Sequence, residues 1–262
     1  MRFGPFGLSG TLVGASAPTS IWAMTRWRAE LLGEVADLEF LAAILTAPEL
    51  RVVQDDGSFF LEASAFDELD STVEISTETR ALVPLLNGTA RLERLNHHDV
   101  EAGGAIQELG ENGGVQHQHR VLHAVSAELR MMPGIHALMV GDVPPAAPEA
   151  GSLPADVILR AALADGGARS ALRWWGEGPR DFMRLYKIVE LITSRADIAA
   201  EGWASKNELT RFGRTAQHPE AAGDAARHAR PRGEPPPKPM SPEEAEDLVR
   251  RVLNGWLLSL EG

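Results

Sequence analysis

Two stretches of this chain hold residue types and spacings that could do chemistry. The first runs from His117 to His123. On a strand, side chains alternate between faces, so His117, His119 and His123 share one face with Val121 between them. Histidines two apart on a strand can ligate zinc, iron or manganese. Glu108 and Glu111 lie across a turn whose register the sequence leaves open. A solvated strand face is the plainer alternative. His97-His98, before Asp99, reads as a loop with a weaker case for ligation.

The second stretch is residues 206–232. It carries Lys206, Arg211, Arg214, Arg227, Arg230 and Arg232 against Glu208, Glu220 and Asp224, in a chain whose formal net charge is -12. His218 and His228 stand inside it. Histidine acts as a general base near neutral pH, and arginine holds a phosphate through paired N–H donors. Arg211, His218, Arg227 and His228 are therefore candidates for phosphoester chemistry. A histidine would take the proton of a ribose 2′-OH, and an arginine would stabilise the developing phosphorane charge. A structural role is the alternative. Arg227 would then pin a helix through Glu190 or Asp224, His228 would cap a helix end, and Trp174, Trp175, Trp203 and Trp256 would be core or interface residues.

Other chemistry is excluded by what the 262 residues lack. There is no cysteine, hence no disulfide framework, zinc ribbon, thiol nucleophile or iron–sulfur cluster. Phosphate-loop, dinucleotide-binding and Gly-x-Ser-x-Gly patterns are absent. Gly103-Gly104 reads as a bulge or close backbone approach, and Gly113-Gly114 as a turn. No cofactor is implied. Apolar residues make up 44% of the chain and there are six tryptophans, enough for a packed core. No apolar run approaches a membrane-spanning length. An acidic chain is a poor general binder of duplex DNA.

The elements that must position these residues fall into two groups. Residues 27–34 read as a strand, and 35–47 as a helix ended by Pro48. Strands at 50–53 and 59–61 flank Asp55-Asp56-Gly57, a hairpin signal. Residues 77–95 look helical despite Pro84 and Gly88. Residues 100–131 read as strands with a turn at 110–114. Beyond a Pro-rich stretch at 141–153 the pattern becomes helical: 152–164, 168–175, 179–193 and 203–218. The clearest helix opens at Ser241-Pro242-Glu243-Glu244, a capping box with proline at the first helical position. Residues 235–239 before it should be extended.

The expected class is α+β: an N-terminal α/β unit with antiparallel strands at 24–140, a linker at 141–153, and an all-α module at 154–262. Charge follows the same division, since residues 1–150 hold nine Arg, no Lys and 21 acids, while 151–262 sum to zero. Residues 1–23 read as a poorly ordered or non-native extension. Ala15-Ser16-Ala17 fits a signal-peptide cleavage pattern, but Gly4, Pro5, Gly7 and Gly10 interrupt the apolar stretch, and Met24 reads as a natural start. Arg outnumbers Lys 22 to 3, as in a GC-rich bacterial genome. A cytoplasmic location is expected.

Motifs in the helical part carry a resemblance. Leu185-Tyr186-Lys187-Ile188-Val189-Glu190, Arg211-Phe212, Thr215-Ala216, Gly223-Asp224, Ala226-Arg227-His228, Pro236, Pro239-Met240 and the last helix resemble a family of uncharacterised bacterial proteins over about residues 180–260. That resemblance brings no activity with it. A more distant similarity is to HEPN helical domains, many of which cut RNA without metal using an Arg and a His four to six residues apart. It implies Arg211 and His218 as that pair, with six residues between them. Phe212 stands where those domains have a polar residue, and Pro219 follows His218.

Three readings of function compete. The first, and the expected one, is a non-enzymatic two-part binding or assembly protein that engages a protein partner or a second copy of itself. The second is a ribonuclease or nucleotide-binding module that engages RNA or a nucleotide through residues 206–232. The third is a metal protein using His117, His119 and His123. No membrane association is expected.

Overall fold

Alternation in β1 (Trp27–Leu32) buries Trp27, Ala29 and Leu31 on one face of a sheet. The structure is a computed structural model that describes residues 26–110, 112–121, 155–227 and 234–260. Residues 1–23, the 141–153 stretch, His123, His228, Arg230 and Arg232 lie outside the described residues. So does the part of the expected 100–131 strand region beyond Val121.

β1 is joined by β2 (Thr46–Ala47), β3 (Leu50–Asp55), β4 (Ser58–Ala63), β5 (Glu101–Leu109) and β6 (Val115–Arg120) in the order β2-β3-β4-β1-β5-β6. Every pairing is antiparallel. Ala29 stands opposite Leu61 and Ile106, which places the apolar set on one face. Arg28 stands opposite Glu62 and Gln107 on the other. There Arg28 donates to Gln107 Oε1 at 2.7 Å, pairs with Asp55, and lies over the Phe60 ring at 4.3 Å.

The Asp-Gly hairpin forms as its chemistry dictates. Asp56 (φ +46°) and Gly57 (φ +76°) are the two loop residues, the primed geometry that matches strand twist. At Gly103 a Cβ would stand 2.5 Å from Glu30 Oε2, and the β1–β5 register shifts between Ala29 and Leu31. The glycine pair thus marks both a bulge and a close approach.

Several helices differ from expectation at their ends: the one expected at 179–193 starts at Phe182 and the one expected at 203–218 spans Lys206–Gln217, because Asp181 and Ser205 are their caps. α1 (Val35–Ile44) stops short of Ala47, because Thr46 and Ala47 leave to pair with Arg51 and Leu50. Pro48 pushes the residue before it out of the helical region. α2 (Thr72–Glu93) starts earlier than Thr77. The Ser71 side chain accepts from Glu74 N at 3.2 Å, while Ser71 N donates to Glu74 Oε2 at 3.1 Å, a full capping box.

The helical part comprises α3 (Ala155–Ala164), α4 (Gly166–Gly176), α5 (Phe182–Thr193), α6 (Lys206–Gln217), α7 (Pro219–Ala222) and α8 (Pro242–Ser259). Asp165, Asp181, Ser205 and Ser241 cap α4, α5, α6 and α8. The fold is therefore α+β, with an antiparallel sheet followed by helices. α2 packs on β5 with one side and on α3 and α4 with another. One apolar core consequently runs from Trp27 and Leu61 through Leu86 to Leu172, Trp175, Ile188 and Trp256. Trp174 and Trp203 pack against it half-buried. Residues 235–239 lie outside helix and strand and bend at Pro237-Lys238. Among the described residues no helix is long and apolar enough to cross a membrane.

Candidate ligand-binding cleft

The four residues nominated for phosphoester chemistry meet different fates. Arg211, on α6, donates to Lys238 O and Pro239 O at 2.9 Å each and to both carboxylate oxygens of Glu244 at 3.1 and 2.6 Å. It fastens the chain leading into α8. His218, between α6 and α7, is only 3% exposed, and its Nδ1 accepts from Glu220 N at 3.3 Å, capping α7. Arg227 pairs with Glu190 at 3.1 Å, lies over the Tyr186 ring at 4.4 Å, and donates its backbone N–H to Ala216 O at 2.8 Å. His228 is outside the described residues. Of the two carboxylates considered for Arg227, the helix-pinning pair uses Glu190.

Other residues of α5 and α6 pack around these contacts. Tyr186 stacks on Phe212 with centroids 6.3 Å apart and accepts from Gln217 Nε2 at 3.1 Å. Thr215 Oγ1 accepts from Met240 N at 3.0 Å. Arg211→Ala is expected to lower stability by about 1–2 kcal/mol, since several hydrogen bonds to a charged donor are lost at a part-exposed site. Hydrogen exchange at Met240 should accelerate in that variant. Unchanged stability and exchange would free Arg211 for a role outside packing.

The strand histidines are also placed. His117 stands opposite Glu108, and His119 opposite Ile106, on the face that carries Trp27. The His119 ring lies 5.8 Å from Trp27 and 6.3 Å from the His117 ring. Arg26 already holds Glu108 at 2.8 Å. His123 is outside the described residues. Among the described residues three ligand atoms converge elsewhere, at Glu34, Asp37 and His98.

Among the described residues, a cleft of about 660 Å³ lies between the end of α2, the α4–α5 turn, α5, α7 and the start of α8. Phe182, Leu185 and Met240 give it apolar walls, and Arg91 and Arg180 give it charge. Both guanidiniums are nearly buried, with side chains 9% and 15% exposed. Arg91 donates to Gly176 O at 2.7 Å and pairs with Asp99 at 2.6 Å, yet its Nε has no hydrogen-bond partner. Arg180 lies over the Trp175 ring at 5.4 Å, 3.3 Å from Glu246 Oε2. Burial lowers the Arg91 pKa; Asp99 opposes the shift and the Arg180 charge adds to it. Two like charges are thus held close together beside an apolar cavity. Asp181 and Glu246 also line it; Asp181 accepts from Arg184 N at 2.8 Å as the cap of α5, and Glu246 faces Arg180.

This site was missed in the sequence because Arg91 and Arg180 lie far apart in the chain. Two local signals were present. Arg91 occupies the apolar face of α2 beside Leu92, and Gly178-Pro179-Arg180-Asp181 is a turn leading into a capped helix. No family model, no curated protein and no solved structure matches this chain.

Proposed function

We propose that this chain is a binding protein whose ligand is a small anion with an apolar body, seated in the cleft beside Arg91 and Arg180. The nearly buried pair of guanidiniums carries this reading. Arginine is the side chain suited to carboxylate and phosphate in a desolvated site. Phe182, Leu185 and Met240 would receive the apolar body. The cavity size falls in the range of small-molecule sites, roughly 300–1,000 Å³.

The probe is 8-anilinonaphthalene-1-sulfonate, an anion on an aromatic body, followed by fluorescence. One equivalent should bind the native chain and be displaced by octanoate or by AMP; whichever wins sets carboxylate or phosphate as the ligand class. Arg180→Met should weaken binding about tenfold or more, since a charge-assisted hydrogen bond is lost. Ala225→Trp should block it by filling the cleft. No binding, or equal binding to both variants and the native chain, would overturn the proposal.

A further inference from the structure

We infer a second site, independent of the cleft: a divalent transition-metal site at the first turn of α1, formed by Glu34, Asp37 and His98. A carboxylate oxygen from each acid and a ring nitrogen of His98 all lie within 4.8 Å of one another. His98 Nδ1 is 3.0 Å from Asp37 Oδ2 and 3.5 Å from Glu34 Oε2. Two ligands at about 2.0–2.1 Å from a tetrahedral ion stand roughly 3.3–3.4 Å apart, so these separations already bracket the bound geometry.

The two acids are diverted from ordinary helix-start work. Glu34 is the N-cap of α1 but makes no side-chain cap hydrogen bond. Asp37, at the position where a capping-box acid would reach back, instead faces His98 and Arg94. Its side chain is 4% exposed. Arg94 holds Oδ1, which orients the carboxylate and leaves Oδ2 directed at His98. Outer groups of this kind set ligand orientation in metal sites.

A separate observation points the same way. The His97 side chain is wholly buried, and its Nε2 faces Asn87 Oδ1 at 3.2 Å. Val100 N donates to that same oxygen, so the oxygen accepts and Nε2 carries the hydrogen. Nδ1 then presents a lone pair, has no hydrogen-bond partner, and lies 3.2 Å from Asp37 Oδ1. A buried lone pair facing a carboxylate is relieved when a cation draws charge from that carboxylate. Glu34 and His98 are 68% and 67% exposed, so the outer coordination position opens to solvent. An imidazole with two carboxylates suits zinc or a neighbouring first-row ion over calcium or magnesium.

The test uses the full chain, stripped with EDTA and dialysed, then titrated with Zn2+ by calorimetry and with Co2+ by visible absorption. One saturable equivalent is expected, with the ligand-field bands of low-coordinate Co2+. Glu34→Gln and His98→Ala, both at exposed positions that leave the core intact, should each weaken binding by about tenfold or more. A His117→Ala/His119→Ala variant should bind as the native chain does. Absence of binding, binding unchanged by Glu34→Gln and His98→Ala, or loss confined to the His117/His119 variant would each overturn the site.

Discussion

Gly176→Ala should lower stability by about 3 kcal/mol, the upper part of the overpacking range, and lower Tm by roughly 6–12 °C. At this point α2 and α4 cross with their backbones in contact. A Cβ on Gly176 would overlap the carbonyl oxygen of Pro84 and stand 2.5 Å from Gly88 N and 2.9 Å from Gly88 Cα. Reciprocally, a Cβ on Gly88 would stand 2.5 Å from Leu172 O. Backbone cannot yield as a side-chain tip can, so the helices must separate, and the core between Leu86 and Leu172 opens with them. The same shift reaches the cleft, since Gly176 O accepts from Arg91 at 2.7 Å. Gly213→Ala is the contrast. It lies within α6 with nothing within 4 Å of its Cβ position and should stabilise by about 0.5–1 kcal/mol through helix propensity alone. Differential scanning calorimetry of both variants checks the pair; equal Tm values would contradict the close crossing.

Asn87→Leu should cost about 3–4 kcal/mol, a sum over several buried polar groups left unpaired. Asn87 is buried within α2 and ties down the chain entering β5. Its Nδ2 donates to Val100 O and its Oδ1 accepts from Val100 N, both at 3.0 Å. The same oxygen faces His97 Nε2. Leucine keeps the volume and removes all of these partners. Burial already drives the His97 pKa down to about 4, so its ring is neutral at physiological pH and cannot recover the loss by charging. Urea unfolding should show a lower midpoint with an unchanged slope. A loss below about 1 kcal/mol would mean that water replaces the amide, since a satisfied group carries little penalty.

Local signals in the sequence were legible, and long-range ones were not. The Asp56-Gly57 turn and the Ser241 capping box formed where expected, because each is decided by a few neighbouring residues. The start of α2 was equally local. Ser71 and Glu74 spell its capping box, but the exposed Val73 and polar first turn hid the apolar stripe. The α+β class followed from the change in hydrophobic period between the two halves. The cleft depends instead on a helix crossing that only Gly88 and Gly176 announce, and glycine inside a helical pattern reads first as a weakness. Arg211 and Arg227 looked catalytic by type and spacing. In three dimensions Arg211 is held by Lys238, Pro239 and Glu244, and Arg227 by Glu190 and Tyr186, partners no spacing rule could specify. His97-His98 read as a loop, and it is one; its interest comes from α1, brought alongside by the fold.

The proposed anion would be recognised by Arg91 and Arg180. The most direct measurement is the Nε–Hε NMR signals of these two side chains, identified by their loss in Arg91→Lys and Arg180→Lys, during titration with octanoate and with AMP. Both signals should shift together and saturate with one of the two ligands. Saturable binding that leaves both signals in place, or no binding of either ligand, would contradict it.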